Sequence, residues 1–257
     1  MSTAPLVIAH RGACRYAPEN TLASFRLAAD QGAHAVELDA KLSADGVVMV
    51  IHDPTVDRTT GASGAVAALS RARLKQLDAG SFKAPQFAGE PIPTLEEVFA
   101  AVGQRLLINV ELTNYANPGD ALVQKTVDLV RAFHLEEKII FSSFHPLNLW
   151  RARRLLPQVP VALLAMPGGA GWLARSALLR GLSPHAVNPY FSDAGRDYIQ
   201  RQHRHGRKVN VWTVNEPGDL ERLTRDGADG LITDDPPAAF AAVGAAGLDP
   251  ARRPPTW

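Results

Sequence analysis

The sequence has few of the features that mark secreted, membrane-spanning or polyanion-binding proteins. It contains one cysteine, Cys14, in 257 residues, so no intramolecular disulfide can form. No run of 18 or more apolar residues occurs, and we therefore expect no membrane-spanning helix. Lys and Arg number 27 against 26 Asp and Glu, and this balance argues against nucleic-acid binding. It does not exclude a small anionic substrate held by two or three residues.

The beginning of the chain, MSTAPLVIAHRGA, lacks the charged and long apolar regions of a secretory signal, so a cytoplasmic location is the default expectation. The composition, 46% hydrophobic and 21% charged, is that of an ordinary folded protein. A length of 257 residues fits one α/β barrel. We therefore expect a single domain over 1–257.

Short apolar runs alternate with helical patterns along most of the chain. The runs are rich in Val, Ile and Leu, which is typical of buried parallel strands. They lie at 6–10, 35–40, 106–112, 138–144, 160–165, 186–190, 208–214 and 230–234. Helical patterns lie at about 20–31, 94–102, 118–134, 146–156, 171–181, 193–205, 217–226 and 236–245. This alternation predicts an α/β fold, a (β/α)8 TIM barrel.

One segment interrupts the alternation. Asp45 and Gly46 lie between two extended runs, which indicates a hairpin whose second strand returns over 47–52. The polar stretch that follows contains one short predicted helix at 70–77. We therefore interpret about 42–93 as a small insertion after strand two, and about 247–257 as a loose tail.

Ionisable residues collect at the predicted carboxyl ends of the first strands, where barrel enzymes have their active sites. Glu37 and Asp39 share one face of strand two, with Cα atoms about 6–7 Å apart. Such carboxylates repel each other unless a cation lies between them. With Glu111 at the next strand end, three oxygen donors would suit Mg²⁺ or Ca²⁺. The alternative is that these acids form structural ion pairs with Arg or Lys.

His10 ends strand one and His52 ends the returning hairpin strand. Imidazole titrates near neutrality, so the two could act as acid and base across one scissile bond. Arg11 offers a fork of donors suited to phosphate oxygens. The alternative for each histidine is a hydrogen-bonded structural role.

The motifs together resemble the glycerophosphodiester phosphodiesterase family. The resemblance runs from about residue 6 to 237, and its specificity comes from the order of the strings. These are IAHRGACRYAPENT, VELDAKLSADGVVMVIHDPTVDRTTG, IPTLEEV, INVEL, VNVWTVNEP and GLITDDP.

The resemblance implies a barrel with an insertion after strand two, in agreement with the pattern above. It implies a divalent metal, Mg²⁺ or Ca²⁺, on the three carboxylates, His10 and His52 as the acid–base pair, and Arg11 at the phosphate. Trp212 is implied near the site, against the alcohol moiety; the alternative is a core aromatic.

The implied substrates are small glycerophosphodiesters such as glycerophosphocholine and glycerophosphoethanolamine, cleaved to glycerol 3-phosphate and an alcohol. We expect no nucleic-acid partner and no stable membrane association, and the oligomeric state stays open.

One position departs from the family pattern. Family members often carry Lys two residues after the third carboxylate, and here Thr113 stands there. Arg11 and the metal would then suffice, another cation such as Arg15 or Lys41 would reach in, or the substrate preference would differ. Two other functions stay open: a lysophospholipase D-type enzyme acting on lipid diesters, and a weakly catalytic barrel that binds phosphodiesters.

Overall fold

The computed structural model describes residues 3–252 and 256–257 of the chain. The strands are β1 (Leu6–His10), β2 (Ala35–Leu42), β3 (Val48–Val50), β4 (Leu107–Leu112), β5 (Ile139–Ser143), β6 (Val161–Ala165), β7 (Ala186–Pro189), β8 (Lys208–Val211) and β9 (Gly230–Thr233). All but β3 run parallel, and β1 pairs with both β2 and β9, which closes the barrel. The predicted (β/α)8 architecture is confirmed.

Helices connect the strands, and most of them cover the outside of the barrel. Within the described residues they are α1 (Leu22–Asp30), α2 (Asp57–Thr60), α3 (Arg71–Leu74), α4 (Leu95–Val102), α5 (Leu122–Ala132), α6 (Pro146–Leu155), α7 (Trp172–Arg175), α8 (Arg196–Arg204), α9 (Pro217–Asp226) and α10 (Pro236–Ala245). Thr94 caps α4 in a reciprocal pair with Glu97, as its position before an apolar run predicts. No helix of the described segments combines the length and apolarity needed to cross a bilayer.

Strand alternation decides which side chains enter the barrel. Leu38 and Ala40 of β2 belong to the apolar cluster that contains Phe25 of α1, between the sheet and the helices. Glu37 and Asp39 alternate with them and therefore face the barrel interior. The same alternation that buries the outer face thus delivers two acids to the inside.

The segment between β2 and β4 begins with the predicted hairpin. Ala40 of β2 pairs antiparallel with Val50 of β3. The residues beyond β3 carry α2 and α3 and enclose an apolar cluster of their own, which includes Met49, Leu74 and Ile92. This cluster anchors the segment at the barrel rim, beside the end of β2.

The predicted helix over 171–181 is wrong as a continuous helix. Only α7 is α-helical, and short 3₁₀ turns flank it. Arg175 donates to the carbonyls of Met166 and Gly168, and these bonds fold the chain back onto the end of β6. At Gly171 a Cβ atom would lie 1.8 Å from the Met166 carbonyl oxygen, so this close approach requires glycine.

Trp257, at the end of the predicted loose tail, packs against the barrel. Trp257 packs against apolar residues at the amino ends of the strands, among them Leu6 and Ile140, and its Nε1 donates to the Lys138 carbonyl at 2.8 Å. The loose tail predicted over about 247–257 therefore has a packed last residue, because a partly buried indole with a satisfied N–H is stabilised there. Residues 253–255 of that tail lie outside the described residues.

Candidate active site

The carboxyl ends of the strands surround a cavity of about 220 Å³. Its lining comprises His10, Arg11, Glu37, His52, Asn109, Glu111, Phe144, Leu164, Trp212, Thr213 and Ile232. Six of the seven predicted site residues are in this set, and the seventh, Asp39, is buried beside Glu37 and Glu111. The structure thus brings together every predicted site residue.

Three carboxylates form the floor of the site. Glu37, Asp39 and Glu111 each offer an oxygen within 4.8 Å of the others, and the β2–β4 register sets Asp39 directly beside Glu111. Burial, together with the charges of Asp39 and Glu111, raises the pKa of Glu37 well above its ordinary value. Burial and Asp39 raise the pKa of Glu111 to about 7. The cluster therefore carries more negative charge than the surrounding protein compensates.

Arg11 supplies part of the compensation. Its backbone N–H donates to Glu37 at 3.1 Å, and its Nε lies 3.4 Å from an Asp39 oxygen without forming a hydrogen bond. Asn20 donates to Asp39 at 2.8 Å. Both Arg11 and Asn20 have positive φ, 53° and 55°, which is rare for residues other than glycine and is often found at functional sites.

The predicted alternative, structural ion pairs, does not account for this cluster. Among the described residues, no side-chain nitrogen of Arg or Lys lies within 4 Å of a carboxylate oxygen of Glu37 or Glu111. Glu111 instead accepts a hydrogen bond from the Tyr115 hydroxyl. Two buried carboxylates and one partly buried carboxylate, with one adjacent guanidinium, fit a divalent cation that prefers oxygen ligands.

His10 is held by a carboxylate that the sequence analysis did not identify. Its Nδ1 lies 2.6 Å from Asp234 Oδ1, and its Nε2 lies 3.9 Å from Glu37. Asp234 also accepts from Cys14 at 3.1 Å and from Asn215 at 2.7 Å. Burial alone would raise the pKa of Asp234, but these hydrogen bonds, with His10 first among them, hold it well below its ordinary value.

The signal for Asp234 was present in the closure of the barrel. β1 and β9 pair with Ala9 beside Thr233, so the next residues, His10 and Asp234, emerge side by side. Knowing the order of the first and last strands would have been enough to pair them.

His52 has a similar arrangement. Its Nδ1 lies 2.6 Å from Asp53 Oδ1, and Arg58 binds the same carboxylate through its Nε at 2.6 Å. Arg58 also donates two hydrogen bonds of 2.8 Å to Glu19, which accepts a further one from Arg11. This chain of charges joins the insertion to the end of β1.

The ion pairs in this chain of charges lower the pKa of both carboxylates that take part. Burial alone would raise the pKa of Glu19, but hydrogen bonds from Arg58 and Arg11 lower it to about 2. The hydrogen bond from Arg58 likewise lowers the pKa of Asp53 to about 2 against the effect of burial. Glu19 and Arg58 were missed because they are 39 residues apart and no local pattern relates them.

Lys41 is a second cation close to the carboxylates. Lys41 follows Asp39 by two residues on the same strand face, and its Nζ donates to Thr113 Oγ1 at 2.6 Å. Burial lowers the pKa of Lys41, while the charges of Asp39, Glu111 and Asp53 oppose that change. The position where a lysine was expected, Thr113, thus contacts a lysine from the neighbouring strand.

Aromatic rings form the other wall. Trp212 donates its indole N–H to the Asn188 carbonyl at 2.8 Å, and its ring centroid lies 5.6 Å from that of Phe144 and 5.3 Å from that of Tyr190. These edge-to-face contacts fix the indole at the cavity wall. Trp212 is therefore both packed and available to a ligand.

Comparison with known proteins gives consistent matches. A sequence profile described as the glycerophosphoryl diester phosphodiesterase family matches residues 10–238. The chain is 36% identical over 232 residues to a glycerophosphodiester phosphodiesterase of Caldanaerobacter subterraneus subsp. tengcongensis, which covers 90% of this chain and 94% of that relative. It is 32% identical to a phosphodiesterase of Oleispira antarctica whose structure contains the product sn-glycerol-3-phosphate, with a TM-score of 0.84 over 94% of this chain and 97% of the other.

Proposed function

Because the chain belongs to the glycerophosphoryl diester phosphodiesterase family, we propose that it hydrolyses small glycerophosphodiesters such as glycerophosphocholine and glycerophosphoethanolamine to glycerol 3-phosphate and an alcohol. The chain is a glycerophosphodiester phosphodiesterase, and we propose that 1–257 form one catalytic domain. The observation that carries the proposal is a single cavity with two carboxylate-bonded histidines beside three clustered carboxylates.

In this proposal Glu37, Asp39 and Glu111 hold one divalent metal, Mg²⁺ or Ca²⁺. The fit rests on their spacing, and on the burial and mutual repulsion that raise the pKa of Glu37 and Glu111. When bound, such an ion withdraws charge from phosphate oxygens as a Lewis acid. Asn20 and Arg11 would hold Asp39 in place through the contacts described above.

The histidine pair accounts for the protons. Hydrolysis breaks the phosphorus–oxygen bond to the alcohol, so the attacking oxygen must lose a proton and the leaving oxygen must gain one. Nδ1 of His10 and Nδ1 of His52 are each engaged by an aspartate, which leaves each Nε2 as the proton-transferring atom. One histidine accepts the first proton and the other donates the second, whether the nucleophile is water or the substrate's neighbouring hydroxyl.

The remaining residues bind the substrate. Arg11 lies at the carboxylates and lines the cavity, where its guanidinium would meet the phosphate. Trp212 presents its ring at the opposite wall, where it would contact the alcohol or attract a choline-like cation through its π face. A cavity of about 220 Å³ lies below the 300–1,000 Å³ range of sites for drug-sized ligands, which favours a small diester.

One observation favours a second candidate, the lipid diesters. In the insertion only Phe82 is strongly exposed among the aromatics, but the loop after β6 exposes Trp172 (64%) and Leu178 (74%). This loop leaves the carboxyl end of its strand, on the active-site side of the barrel. An exposed apolar patch of this kind can contact acyl chains.

The direct test uses purified protein stripped of metal with a chelator. It is incubated with glycerophosphocholine, glycerophosphoethanolamine or lysophosphatidylcholine, without metal, with Mg²⁺ and with Ca²⁺. A dehydrogenase coupled to glycerol 3-phosphate reports cleavage of the first two substrates, and choline release reports the third. We expect metal-restored release of glycerol 3-phosphate.

Each other outcome is informative. Metal-dependent choline release from lysophosphatidylcholine alone would replace the small-diester proposal with the lipid one. Full activity after metal removal would contradict the metal role of the three carboxylates. No turnover of any diester with any metal would contradict the proposed reaction.

A further inference from the structure

The Lys41 ammonium is a cation of this site that forms no salt bridge with a carboxylate of the described residues. It lies on the interior face of β2, partly buried, and its Nζ donates to Thr113 Oγ1 at 2.6 Å. Among the described residues no carboxylate oxygen forms a salt bridge within 4 Å of Nζ. An ammonium has three N–H donors, so two of these remain for another acceptor.

Thr113 orients the lysine without neutralising it. Its hydroxyl donates to the Ala40 carbonyl at 2.6 Å, so its oxygen lone pairs are free to accept from Lys41. A hydroxyl carries no charge, so this contact does not pair the ammonium with a carboxylate. A carboxylate at position 113 would have consumed that charge in an ion pair.

The other cation of the site is more heavily committed. Arg11 donates to Glu19 at 2.8 Å and lies against Asp39 at 3.4 Å, so two acids already draw on its charge. Besides the metal proposed for the carboxylates, a phosphate that binds there is stabilised by any further cation that can donate to its oxygens. Lys41 provides such a cation from the same face of β2, two residues beyond Asp39.

We propose that Lys41 is a substrate-binding residue that donates to a non-bridging oxygen of the substrate phosphate, with Thr113 as its tether. The inference deepens the proposed function and rests on it for the identity of the substrate. Its binding component, recognition of a phosphate group beside the carboxylates, is separable from turnover.

The pairing of β2 with β4 makes an exchange experiment possible. Ala40 pairs with Leu112, so Lys41 and Thr113 follow as neighbours across the same strand pair. The double variant K41T/T113K moves the ammonium to the adjacent strand and keeps both side-chain types. If the charge matters because it reaches the phosphate, the exchange should restore what K41T removes.

The experiment compares wild type, K41M, K41T, K41T/T113K and the control K125M, which removes a lysine outside this site. For each we measure kcat and KM with glycerophosphocholine, and the calorimetric affinity for sn-glycerol 3-phosphate in the presence of Mg²⁺. Loss of one charge-assisted hydrogen bond predicts about a 10- to 100-fold fall in kcat/KM and in product affinity for K41M and K41T. The exchange should recover most of the loss, and K125M should match wild type.

Circular dichroism and thermal melts establish that each variant is folded. T113V keeps the charge and loses the tether, so its loss of kcat/KM and product affinity should be smaller than that of K41M.

The proposal is overturned if K41M stays within about threefold of wild type in both kcat/KM and product affinity. It is also overturned if K41M and K125M lose product affinity equally, or if the exchange gives no recovery in a folded protein. A wild type that binds glycerol 3-phosphate but turns over no diester would contradict the proposed function alone, and the binding series would still decide on Lys41.

Discussion

Substituting Asp234 by Asn is the sharpest perturbation of the proposed acid–base pair. The change keeps the size and shape of the side chain and replaces one oxygen by an NH₂ group. In the structure one carboxylate oxygen of Asp234 accepts from His10 and Cys14, and the other accepts from Asn215 at 2.7 Å. The amide must therefore turn its NH₂ group toward either His10 or Asn215.

The surroundings decide which way the amide turns. The side-chain amide oxygen of Asn215 accepts from the backbone N–H of Asp234 at 2.9 Å and from the Thr233 hydroxyl at 3.2 Å. The Asn215 amide therefore cannot rotate without losing both bonds. Its NH₂ group must continue to face an acceptor. The new amide therefore presents its oxygen to Asn215 and its NH₂ group to Nδ1 of His10.

An NH₂ group at Nδ1 reverses the tautomer of His10. The neutral ring then carries its proton on Nε2 and cannot accept another there, and a doubly protonated ring would face a donor at Nδ1. His10 loses both the base and the acid role. Because general acid–base catalysis contributes about 10²- to 10⁴-fold, we expect kcat to fall at least about 100-fold with little change in KM.

The assay is steady-state hydrolysis of glycerophosphocholine, with metal affinity measured by calorimetry on the same preparations. Asp235→Asn is the matched control, because it makes the same charge change one residue away and retains the side-chain oxygen that caps α10. We expect this control to retain near-normal kcat. Near-normal kcat in D234N would refute the reasoning about His10, and an equal loss in D235N would show a general effect of charge.

Three further predictions follow from the same site. His52→Ala should lower kcat at least about 100-fold in a folded protein, and turnover close to wild type would remove His52 from the mechanism. In metal-free wild type, Glu111 has a folded pKa of about 7 against an ordinary 4.5, so it binds its proton more tightly when folded. The melting temperature of wild type should therefore fall as pH rises from 4.5 through 7. Glu111→Gln should flatten this dependence. An unchanged slope in thermal melts of E111Q would contradict this. Thr113→Lys alone should lower both melting temperature and kcat/KM, because it sets a second ammonium beside Lys41; improved activity would contradict the tether role.

The sequence was sufficient for the barrel because each barrel strand is a short apolar run between helices. Six of the seven predicted site residues came together because residues toward the carboxyl ends of parallel strands meet at one rim, and the hairpin returned His52 to that rim. Strand alternation also predicted that Glu37 and Asp39 share a face. These inferences need only periodicity and the direction of the strands.

What the sequence did not predict depends on long-range partners. Asp234 became the partner of His10 only through closure of the barrel, and Arg58 joined Asp53 to Glu19 only through the fold of the insertion. The helix predicted from 171 broke up because the bonds of Arg175 to the turn after β6 outweigh helical propensity there. Spacing along the chain carries no information about such contacts.

The central claim, that Glu37, Asp39 and Glu111 hold the metal on which hydrolysis depends, is tested by two titrations of one stripped preparation. Mg²⁺ or Ca²⁺ is added while hydrolysis of glycerophosphocholine is followed, and the same titration is repeated in a calorimeter. The account predicts one ion per chain, with activity rising at the metal concentrations where the ion binds, and no binding at those concentrations by Asp39→Asn. Metal binding by Asp39→Asn equal to that of wild type, or activity that does not follow metal occupancy, would contradict the claim.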